Sequence, residues 1–269
     1  MIIIHYIYSK CKYRFCSKKD LIMAIKTILN YSPNFNTKKR ITKEIKFIIF
    51  HYTGMEKESE AINKLTSIQS EVSCHYLIKR NGEIIAMVPE SYIAWHAGKS
   101  SWGNYKSLNK NSIGIEITNP GHESNYKNFN KKQITSLLKL SKSLIKKYMI
   151  NHKNILGHSD IAPERKKDPG EKFPWQYLSQ NKVGLWHTIK KQELTKHRTI
   201  KPTKIDKDLF INNLSKIGYQ KKTPRTLDKN KYLNYITKAF QRRYRQDLID
   251  GKIDQECLII SQNLIRKYH

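Results

Sequence analysis

The sequence contains little cysteine and no long apolar run. Its 4 cysteines follow neither the spacing of a disulfide framework nor that of a zinc knuckle, so we expect a scattered, reduced set. Cys11 and Cys16 are nonetheless close enough along the chain to pair. No apolar stretch reaches the roughly 18 residues that a membrane-spanning helix requires, and we therefore expect no membrane span.

The sequence also has few acidic residues for its size. It has 22 Asp and Glu against 51 Lys and Arg, which gives a formal net charge of +29. A field of this sign favours an anionic partner, such as a nucleic acid, an anionic lipid surface or a polymer that carries carboxylates. The excess is spread along the whole chain and is mostly lysine, which indicates a compositional bias, and no nucleic-acid-binding motif accompanies it. We therefore expect no nucleic-acid partner; salt-sensitive retention on heparin would favour one.

The first residues resemble an export signal poorly. The chain begins MIIIHYIYSKCKYRFC, in which a short, mostly apolar stretch precedes the basic residues. A signal peptide has its basic residues first and a longer apolar core. We expect an N-terminal extension over residues 1–40, with a short helix within Leu21–Tyr31.

Hydrophobic periodicity predicts alternating strands and helices in residues 41–187. The apolar run Ile45–Phe50 is typical of a strand that is buried on both faces. Asn81-Gly82 lies between two β-rich runs and predicts a hairpin, because both central positions of such a turn need positive φ. Asn130, with Gln133 three residues later, predicts the start of a long helix. The order of these elements predicts an α/β fold with a mixed central β-sheet flanked by helices.

The character of the sequence changes after residue 187. Residues 188–205 are polar and lysine-rich, as in a linker. Residues 206–269 show three amphipathic helical patterns, with Gly218 in the position of a C-terminal cap and Asp254 at the start of the third. We therefore predict a small three-helix C-terminal domain that could fold alone and that carries no catalytic constellation.

One loop concentrates residues that can do chemistry. The stretch GHSDIAPERKKDPG (Gly157–Gly170) shows no helical or strand pattern, so we expect a shaped loop. It contains His158 and Asp168, which are both metal-ligand types, and the cations Arg165 and Lys166. Two buried-looking strands, FIIFHYT and SIGIEIT, each carry one further polar residue suited to catalysis. These residues are His51 and Glu116.

Each of these residues has a structural interpretation beside the functional one. Three ligands and an open position make a hydrolytic zinc site, which His51, His158 and Asp168 could form if they converge. A histidine at a strand end is more often structural, and the spacing does not by itself indicate zinc. Glu116 is either a solvated carboxylate or a general base, and a carboxylate in an apolar strand needs a reason. Lys166 is either one lysine among many or a group that stabilises an oxyanion.

The remaining histidines compete for the same roles. His75 is expected in the core or lining the site, and His96 is expected to line a substrate cleft. The others, His122, His152 and His187, lie in polar surroundings and are expected at the surface.

Five motifs occur in order along the chain: FHYT at 50–53, SCHYLI at 73–78, AWHAG at 94–98, NSIGIEI at 111–117 and the loop at 157–170. With these motifs the chain resembles the zinc-dependent N-acetylmuramoyl-L-alanine amidases of the AmpD/AmiD type, relatives of peptidoglycan recognition proteins and of the phage-lysozyme amidase. The resemblance implies that residues 41–187 form a catalytic domain that binds Zn²⁺. It also implies hydrolysis of the amide bond between N-acetylmuramic acid and the L-alanine of the stem peptide.

The resemblance implies a role for each residue of the site. The zinc ligands fall on His51, His158 and Asp168, and an aspartate as third ligand matches the AmpD branch. The catalytic carboxylate falls on Glu116 and the oxyanion-side lysine on Lys166. Arg165 falls on a residue expected to meet a stem-peptide carboxylate, which suits its planar fork. Further substrate contacts are expected at Trp95, His96 and Asn119.

The C-terminal unit resembles the three-helix peptidoglycan-binding module found behind some of these amidases. The stretch AFQRRYRQDLIDGKID (Ala239–Asp254) carries most of the likeness, and a generic helical cap is the alternative. A tether raises the local enzyme concentration at a polymer without new active-site contacts. On this view, deleting residues 200–269 would spare cleavage of soluble muropeptides.

These interpretations predict peptidoglycan or a muropeptide as partner, and they do not imply an oligomer. We expect a location in the cell envelope, in the periplasm or outside the cell, with a cytoplasmic location as the alternative. The alternative function is a recognition protein of the same fold that binds muropeptides without cutting them.

Overall fold

The computed structural model describes residues 25–220, 223–224 and 227–268. Cys11 and Cys16 lie outside these residues, whereas Cys74 and Cys257 are buried free thiols. The strands of the described chain are β1 (Thr27–Leu29), β2 (Phe35–Asn36), β3 (Phe47–Tyr52), β4 (Tyr76–Ile78), β5 (Ile84–Ala86), β6 (Ile93–Ala94), β7 (Ser101–Trp102), β8 (Tyr105–Lys106), β9 (Ser112–Ile117) and β10 (Ile155–Gly157). Its α-helices are α1 (Glu58–Thr66), α2 (Lys131–Tyr148), α3 (His158–Ile161), α4 (Trp175–Gln180), α5 (Lys191–Thr195), α6 (Lys204–Ile217), α7 (Lys229–Tyr244) and α8 (Gln255–Tyr268).

A central sheet of 6 strands has the order β1-β5-β4-β9-β3-β10. Neighbouring strands are parallel except for β4 and β5, whose antiparallel register confirms the hairpin predicted at Asn81-Gly82. Two short antiparallel pairs, β2–β6 and β7–β8, lie outside this sheet. A mixed sheet with helices packed on it is the α/β fold that the sequence predicts.

Helix α2 covers one face of the sheet. The isoleucines of β9 project to this face and share a buried cluster with Leu137 and Leu144 of the helix. The predicted capping box is present: the Asn130 side chain accepts from Gln133 N at 3.0 Å, and the Gln133 side chain accepts from Asn130 N at 3.1 Å. The helix therefore begins where its local sequence satisfies its first free N–H groups.

The C-terminal helices cover the opposite face. Phe47 and Ile49 of β3 share one buried cluster with Phe210 of α6 and Phe240 of α7. The three predicted helices are present, and they bury apolar surface against the sheet as well as against one another. The division at residues 188–205 stays a prediction; that segment contains α5, whose Leu194 belongs to the same cluster. None of the helices in the described ranges has both the length and the apolarity needed to cross a bilayer.

Three local expectations are wrong. Residues 27–29 of the expected short helix form β1 instead, because they pair in parallel with β5; residues 21–24 lie outside the described chain. The loop that begins at Gly157 is not wholly irregular, since the Asp160 side chain accepts from Gly157 N at 2.8 Å and caps the helical turn α3. His187 is buried rather than at the surface, and its Nε2 donates to Tyr244 O at 3.3 Å.

Candidate metal centre and substrate cleft

The end of the central sheet brings the predicted ligands together. His51 lies near the end of β3, and its register partner on the parallel strand β9 is Glu116, so both side chains project from the same face. Strand β10 pairs with the other edge of β3, and His158 is the residue that follows its last one. The loop that continues from α3 returns Asp168 to the same point.

His51, His158 and Asp168 face one another through single atoms. The Nδ1 atoms of the two imidazoles are 3.0 Å apart, and Asp168 Oδ2 is 3.1 Å from each of them. All three side chains are buried. Within the described ranges, they are the one group of histidine, cysteine and acidic side chains close enough to hold a metal ion together.

The tautomer of His51 follows from a chain of hydrogen bonds behind it. Ser112 donates its single hydroxyl hydrogen to Leu108 O at 2.7 Å, so its oxygen accepts from His96 Nε2 at 3.1 Å. The other ring nitrogen of His96, Nδ1, is therefore an acceptor, and His51 Nε2 donates to it at 3.0 Å. His51 Nδ1 is left with a free lone pair that faces the other two ligand atoms.

The ring of His158 is held in the same way as that of His51, with Nδ1 facing the other candidate ligand atoms. Its Nε2 lies 3.2 Å from Ala97 O, which can only accept, and 3.4 Å from Arg165 Nη2, which can only donate. The shorter contact assigns the hydrogen to Nε2 and leaves Nδ1 unprotonated. Two lone pairs and a carboxylate thus meet without a hydrogen between them, an arrangement that a cation stabilises. Tetrahedral zinc, with bonds of about 2.0–2.2 Å, separates its ligand atoms by about 3.3–3.6 Å. The observed separations of 3.0 and 3.1 Å fit a zinc ion after a small outward movement of the side chains.

The electrostatics of these groups agree with a metal-binding role. Burial, followed by the neighbouring His158, lowers the pKa of His51 to about 4. Burial raises the pKa of Asp168, but the charge and hydrogen bonds of His158 and His51, in their protonated forms, hold that pKa well below its usual range, so positive charge at this point keeps the carboxylate ionised. Neutral imidazoles and an ionised carboxylate are the forms that bind metal ions.

Glu116 lies beside the three ligand atoms and lines the same cleft. Its Oε2 atom is buried and has no hydrogen-bond partner among the described residues. Burial raises the pKa of Glu116 well above its ordinary value, the charge of Asp168 raises it further, and Lys166 opposes both effects. A carboxylate with a free oxygen at a cleft is suited to accept a proton from a molecule bound there.

A cleft of about 330 Å³ opens onto these side chains. Its walls are Tyr52 at the end of β3, the segment 53–55 that follows, one side of α1 and the loop 157–170, which carries two of the candidate ligands and is termed the metal-binding loop. The lining combines apolar side chains of α1 and Val72 with basic side chains of the loop, so the cleft suits a ligand that carries both apolar groups and negative charge. The basic lining residues are Lys64, Arg165, Lys166 and Lys167.

The two predicted cations differ in their surroundings. Lys166 lines the cleft, and no hydrogen bond or ion pair engages its ammonium within the described chain. Arg165 lines the cleft too, but its Nε and Nη2 donate to the carbonyl oxygens of Lys99 and Ala97. Its Nη1 has no partner among the described residues, so one end of the guanidinium is available to a ligand.

The three other predicted substrate contacts occupy different depths. Trp95 lines the cleft and donates its Nε1 to Asn36 Oδ1 at 2.7 Å. His96 lies under His51 with both ring nitrogens engaged, so it supports a ligand residue and has no polar atom for the substrate.

Asn119 is buried and does not line the cleft. Its side chain donates to Lys127 O and accepts from Gly121 N, and it therefore shapes the turn after β9.

The hydrogen-bond chain also depends on Ser112 and Gly114, which are not among the site residues predicted from the sequence. A Cβ atom on Gly114 would lie 2.3 Å from His96 Cγ, so only glycine leaves room for that imidazole. A signal was present, because β9 alternates Ser, Gly and Glu with three isoleucines. The alternation indicates a face with free space, but it cannot reveal that His96, from another segment, fills that space.

Comparison with known proteins relates the chain to a single family. The family model described as N-acetylmuramoyl-L-alanine amidase matches residues 41–171. The N-acetylmuramoyl-L-alanine amidase AmiD of Escherichia coli is 34% identical over 236 residues, which cover 83% of each chain. The 1,6-anhydro-N-acetylmuramyl-L-alanine amidase AmpD of Haemophilus influenzae is 34% identical over 170 residues, which cover 56% of this chain and 90% of that one.

Solved structures give the same relationship. E. coli AmiD, in complex with its substrate anhydro-N-acetylmuramic acid-L-Ala-D-γ-Glu-L-Lys, has a TM-score of 0.73 and 33% identity, with 87% of this chain and 92% of that chain covered. AmpDh3 of Pseudomonas aeruginosa, in complex with anhydromuramic pentapeptide, has a TM-score of 0.73 and 30% identity, with 88% and 97% covered. The two matches cover 87% and 88% of this chain, which is more than residues 1–187 contain. Both likenesses therefore extend into the C-terminal helices.

Proposed function

This chain belongs to the N-acetylmuramoyl-L-alanine amidase family, and from that membership we propose that it uses zinc to hydrolyse the amide bond between N-acetylmuramic acid and the L-alanine of the stem peptide. One observation carries the proposal. Two imidazole lone pairs and a carboxylate oxygen lie 3.0 to 3.1 Å apart in a cleft that also contains Glu116. Hydrolytic zinc sites have three such ligands and one open position.

The residues around the ligands divide the chemistry of amide hydrolysis. Zinc held by His51, His158 and Asp168 would polarise the scissile carbonyl and lower the pKa of a bound water to about 7. Glu116 accepts the proton of the attacking water and passes it to the amine that leaves, because an amide nitrogen departs readily only when protonated. Lys166 stabilises the negative charge that develops on the carbonyl oxygen.

The proposed substrate is a muropeptide or the peptidoglycan polymer. The relatives AmiD and AmpDh3 are known with anhydro-muramyl peptides bound. The basic side of the cleft complements the carboxylates of a stem peptide, and Arg165 Nη1 is the donor that we assign to one of them. Trp95 offers a ring for packing against the sugar or peptide. Asn119 contributes through the shape of its turn.

We further propose that residues 206–269 bind the cell wall and that residues 41–187 form the catalytic domain, with residues 188–205 between them. The chain's charge of +29 supports attraction to an anionic wall. Such a substrate implies work in the cell envelope, in the periplasm or outside the cell. Co-sedimentation with purified sacculi tests the binding; a protein that stays in the supernatant at low salt would contradict it.

The metal requirement is tested by digestion of anhydro-muropeptides and of intact sacculi, with mass spectrometry of the products. We expect free stem peptide with an N-terminal alanine from the zinc-loaded protein. A strong chelator should abolish this product and added zinc should restore it. Retention of muropeptide by zinc-loaded protein without release of peptide would instead identify a recognition protein.

The role of Glu116 is tested by Glu116→Gln. We expect one equivalent of zinc to remain bound and turnover to fall about 10²- to 10⁴-fold, as for the loss of a general base. Glu123→Gln is the matched control, because Glu123 lines the same cleft with an exposed carboxylate that pairs with Lys167. Equal turnover of the two variants would remove Glu116 from the mechanism.

A further inference from the structure

A buried carboxylate in the metal-binding loop is held by the C-terminal helices. Asp160 lies two residues after His158 in the helical turn α3 and is buried. Its Oδ2 accepts from Gly157 N at 2.8 Å and from Arg243 Nη1 at 2.6 Å, and its Oδ1 accepts from the Tyr219 hydroxyl at 2.6 Å. Two of the three donors therefore come from outside the loop, one from α7 and one from the second residue after α6.

Arg243 joins the turn to the strand that precedes it. While its Nη1 holds Asp160, its Nη2 donates to Ile155 O, at the start of β10, at 2.8 Å. The guanidinium lies over the ring of Trp175, with 4.4 Å between its Cζ and the ring centroid, and Arg243 is 2% exposed. A planar guanidinium that is bonded at both ends and stacked on one face fixes the angle between strand and turn.

The turn in question carries or contacts two of the three metal ligands. His158 is its first residue, and Ser159 N donates to Asp168 O at 2.8 Å. A Cβ atom on Gly157 would lie 2.6 Å from Pro169 Cδ, so the strand end and the segment of Asp168 are in close contact. A displacement of α3 would move both ligands relative to His51 on the central strand.

We propose that Arg243 and Tyr219 are positioning residues for the metal centre and that they act through Asp160. The C-terminal helices then complete the geometry of the site, a role that is separate from binding of the wall. The inference rests on the proposed function, because it takes His158 and Asp168 as metal ligands.

The opposing interpretation is an ion pair that only fastens the helices to the sheet, and the chain offers a matched control for it. Arg245 lies two residues further along, is 3% exposed and pairs with Asp250 and Asp254 inside the helical module. Loss of either guanidinium removes a buried charge from the end of α7. Only Arg243 reaches the metal-binding loop.

The test measures the zinc affinity of the full-length protein by competition with a chromophoric chelator, together with the melting temperature. We expect Arg243→Met to weaken zinc binding about tenfold, the scale on which residues behind metal ligands act. Arg245→Met should lower the melting temperature and leave the zinc affinity unchanged. Tyr219→Phe should weaken zinc binding less; it removes one hydroxyl and keeps the ring contact with Trp102, so it tests the same link if Arg243→Met does not fold.

A double-mutant cycle with Asp160→Asn tests whether Arg243 acts on the metal centre through Asp160. If Arg243 acts through Asp160, the Asp160→Asn/Arg243→Met protein binds zinc as Asp160→Asn alone does. Unchanged zinc affinity in Arg243→Met and Tyr219→Phe, or additive losses in the cycle, would overturn the proposal and leave the metal site standing. A wild-type protein that binds no zinc would overturn both this proposal and the proposed function, so the two failures can be distinguished.

Discussion

At the scale of single residues, the candidate metal centre depends on which nitrogen of each histidine carries a hydrogen. The direction of the hydrogen bonds is set at Leu108, whose carbonyl oxygen can only accept. From there, Ser112 and His96 transmit one orientation to His51 and leave its Nδ1 free. A candidate metal ligand is thus oriented by residues that are not themselves candidate ligands.

Ser112→Ala tests this chain of hydrogen bonds. Without the serine oxygen, His96 can carry its hydrogen on Nδ1 and donate to His51, which would then hold its own hydrogen on the nitrogen that should bind the metal. We expect the zinc affinity, measured by chelator competition, to fall about tenfold. Ser141→Ala, at another fully buried serine on the far side of the sheet, is the control and should leave zinc binding unchanged. Equal affinities for both variants would contradict the assigned tautomers.

Glu116 gives a prediction for stability against pH in the metal-free protein. Its folded pKa is raised above the ordinary 4.5 by burial, so its contribution to stability is present below pH 4.5 and is lost as the pH rises through the folded pKa. In Glu116→Gln this pH-dependent loss of stability is absent, because glutamine does not titrate. The variant should therefore gain stability over the wild type as the pH rises, measured by urea unfolding with chelator present. A difference that is constant from pH 4.5 to 8 would speak against a raised pKa; Glu123→Gln controls for the change of charge.

At the scale of elements, strand β9 separates packing from chemistry by alternation. Its isoleucines pack under α2, while Ser112, Gly114 and Glu116 face the site. A shift of the strand by one residue would exchange these faces, so the hydrophobic contact with α2 also fixes the register of the Glu116 carboxylate. We therefore expect helix α2 to act on the site through this register.

Asn130→Ala tests that separation. The substitution removes the cap of α2, and we expect a loss of about 1 kcal/mol in the free energy of unfolding, within the range of about 0.5–2 for such caps. Urea unfolding gives the loss, and Asn128→Ala, at an exposed position two residues earlier, is the control. Zinc affinity should be the same in both variants. A weakened zinc site in Asn130→Ala would mean that the cap reaches the site by a route other than the register of β9.

At the scale of the whole molecule, the C-terminal helices and the sheet share one hydrophobic cluster. Phe47 and Ile49 of the sheet belong to the same buried cluster as Phe210 and Phe240 of the C-terminal helices. Arg243 adds buried hydrogen bonds across the same boundary. A module attached only by a linker would have no such core in common with its neighbour.

Deletion of residues 200–269 is therefore expected to do more than remove a tether. We expect the truncated chain to lose solubility and the cleavage of soluble anhydro-muropeptides, because it exposes a face of the sheet and leaves Asp160 without its outer partners. Circular dichroism and product analysis by mass spectrometry measure the two effects. A soluble, fully active truncated protein would restore the sequence-based expectation of a dispensable tether.

The elements that the sequence predicted well are those whose signals are local. The hairpin at Asn81-Gly82, the capping box at Asn130 and the three C-terminal helices follow from turn chemistry and apolar periodicity within a few residues. Strand β1 and the turn α3 could not be predicted in this way. The first depends on pairing with β5, and the second depends on the side chain of Asp160.

The sequence by itself determined the α/β architecture and the residue types available for chemistry, because periodicity and motif order need no knowledge of contacts. The tertiary structure alone decided that His96 serves His51, that Asn119 serves its own turn and that the C-terminal helices hold Asp160. These pairings join residues from separate segments of the chain. Linear spacing contains no record of the direction in which a buried side chain points, and that direction determines its function.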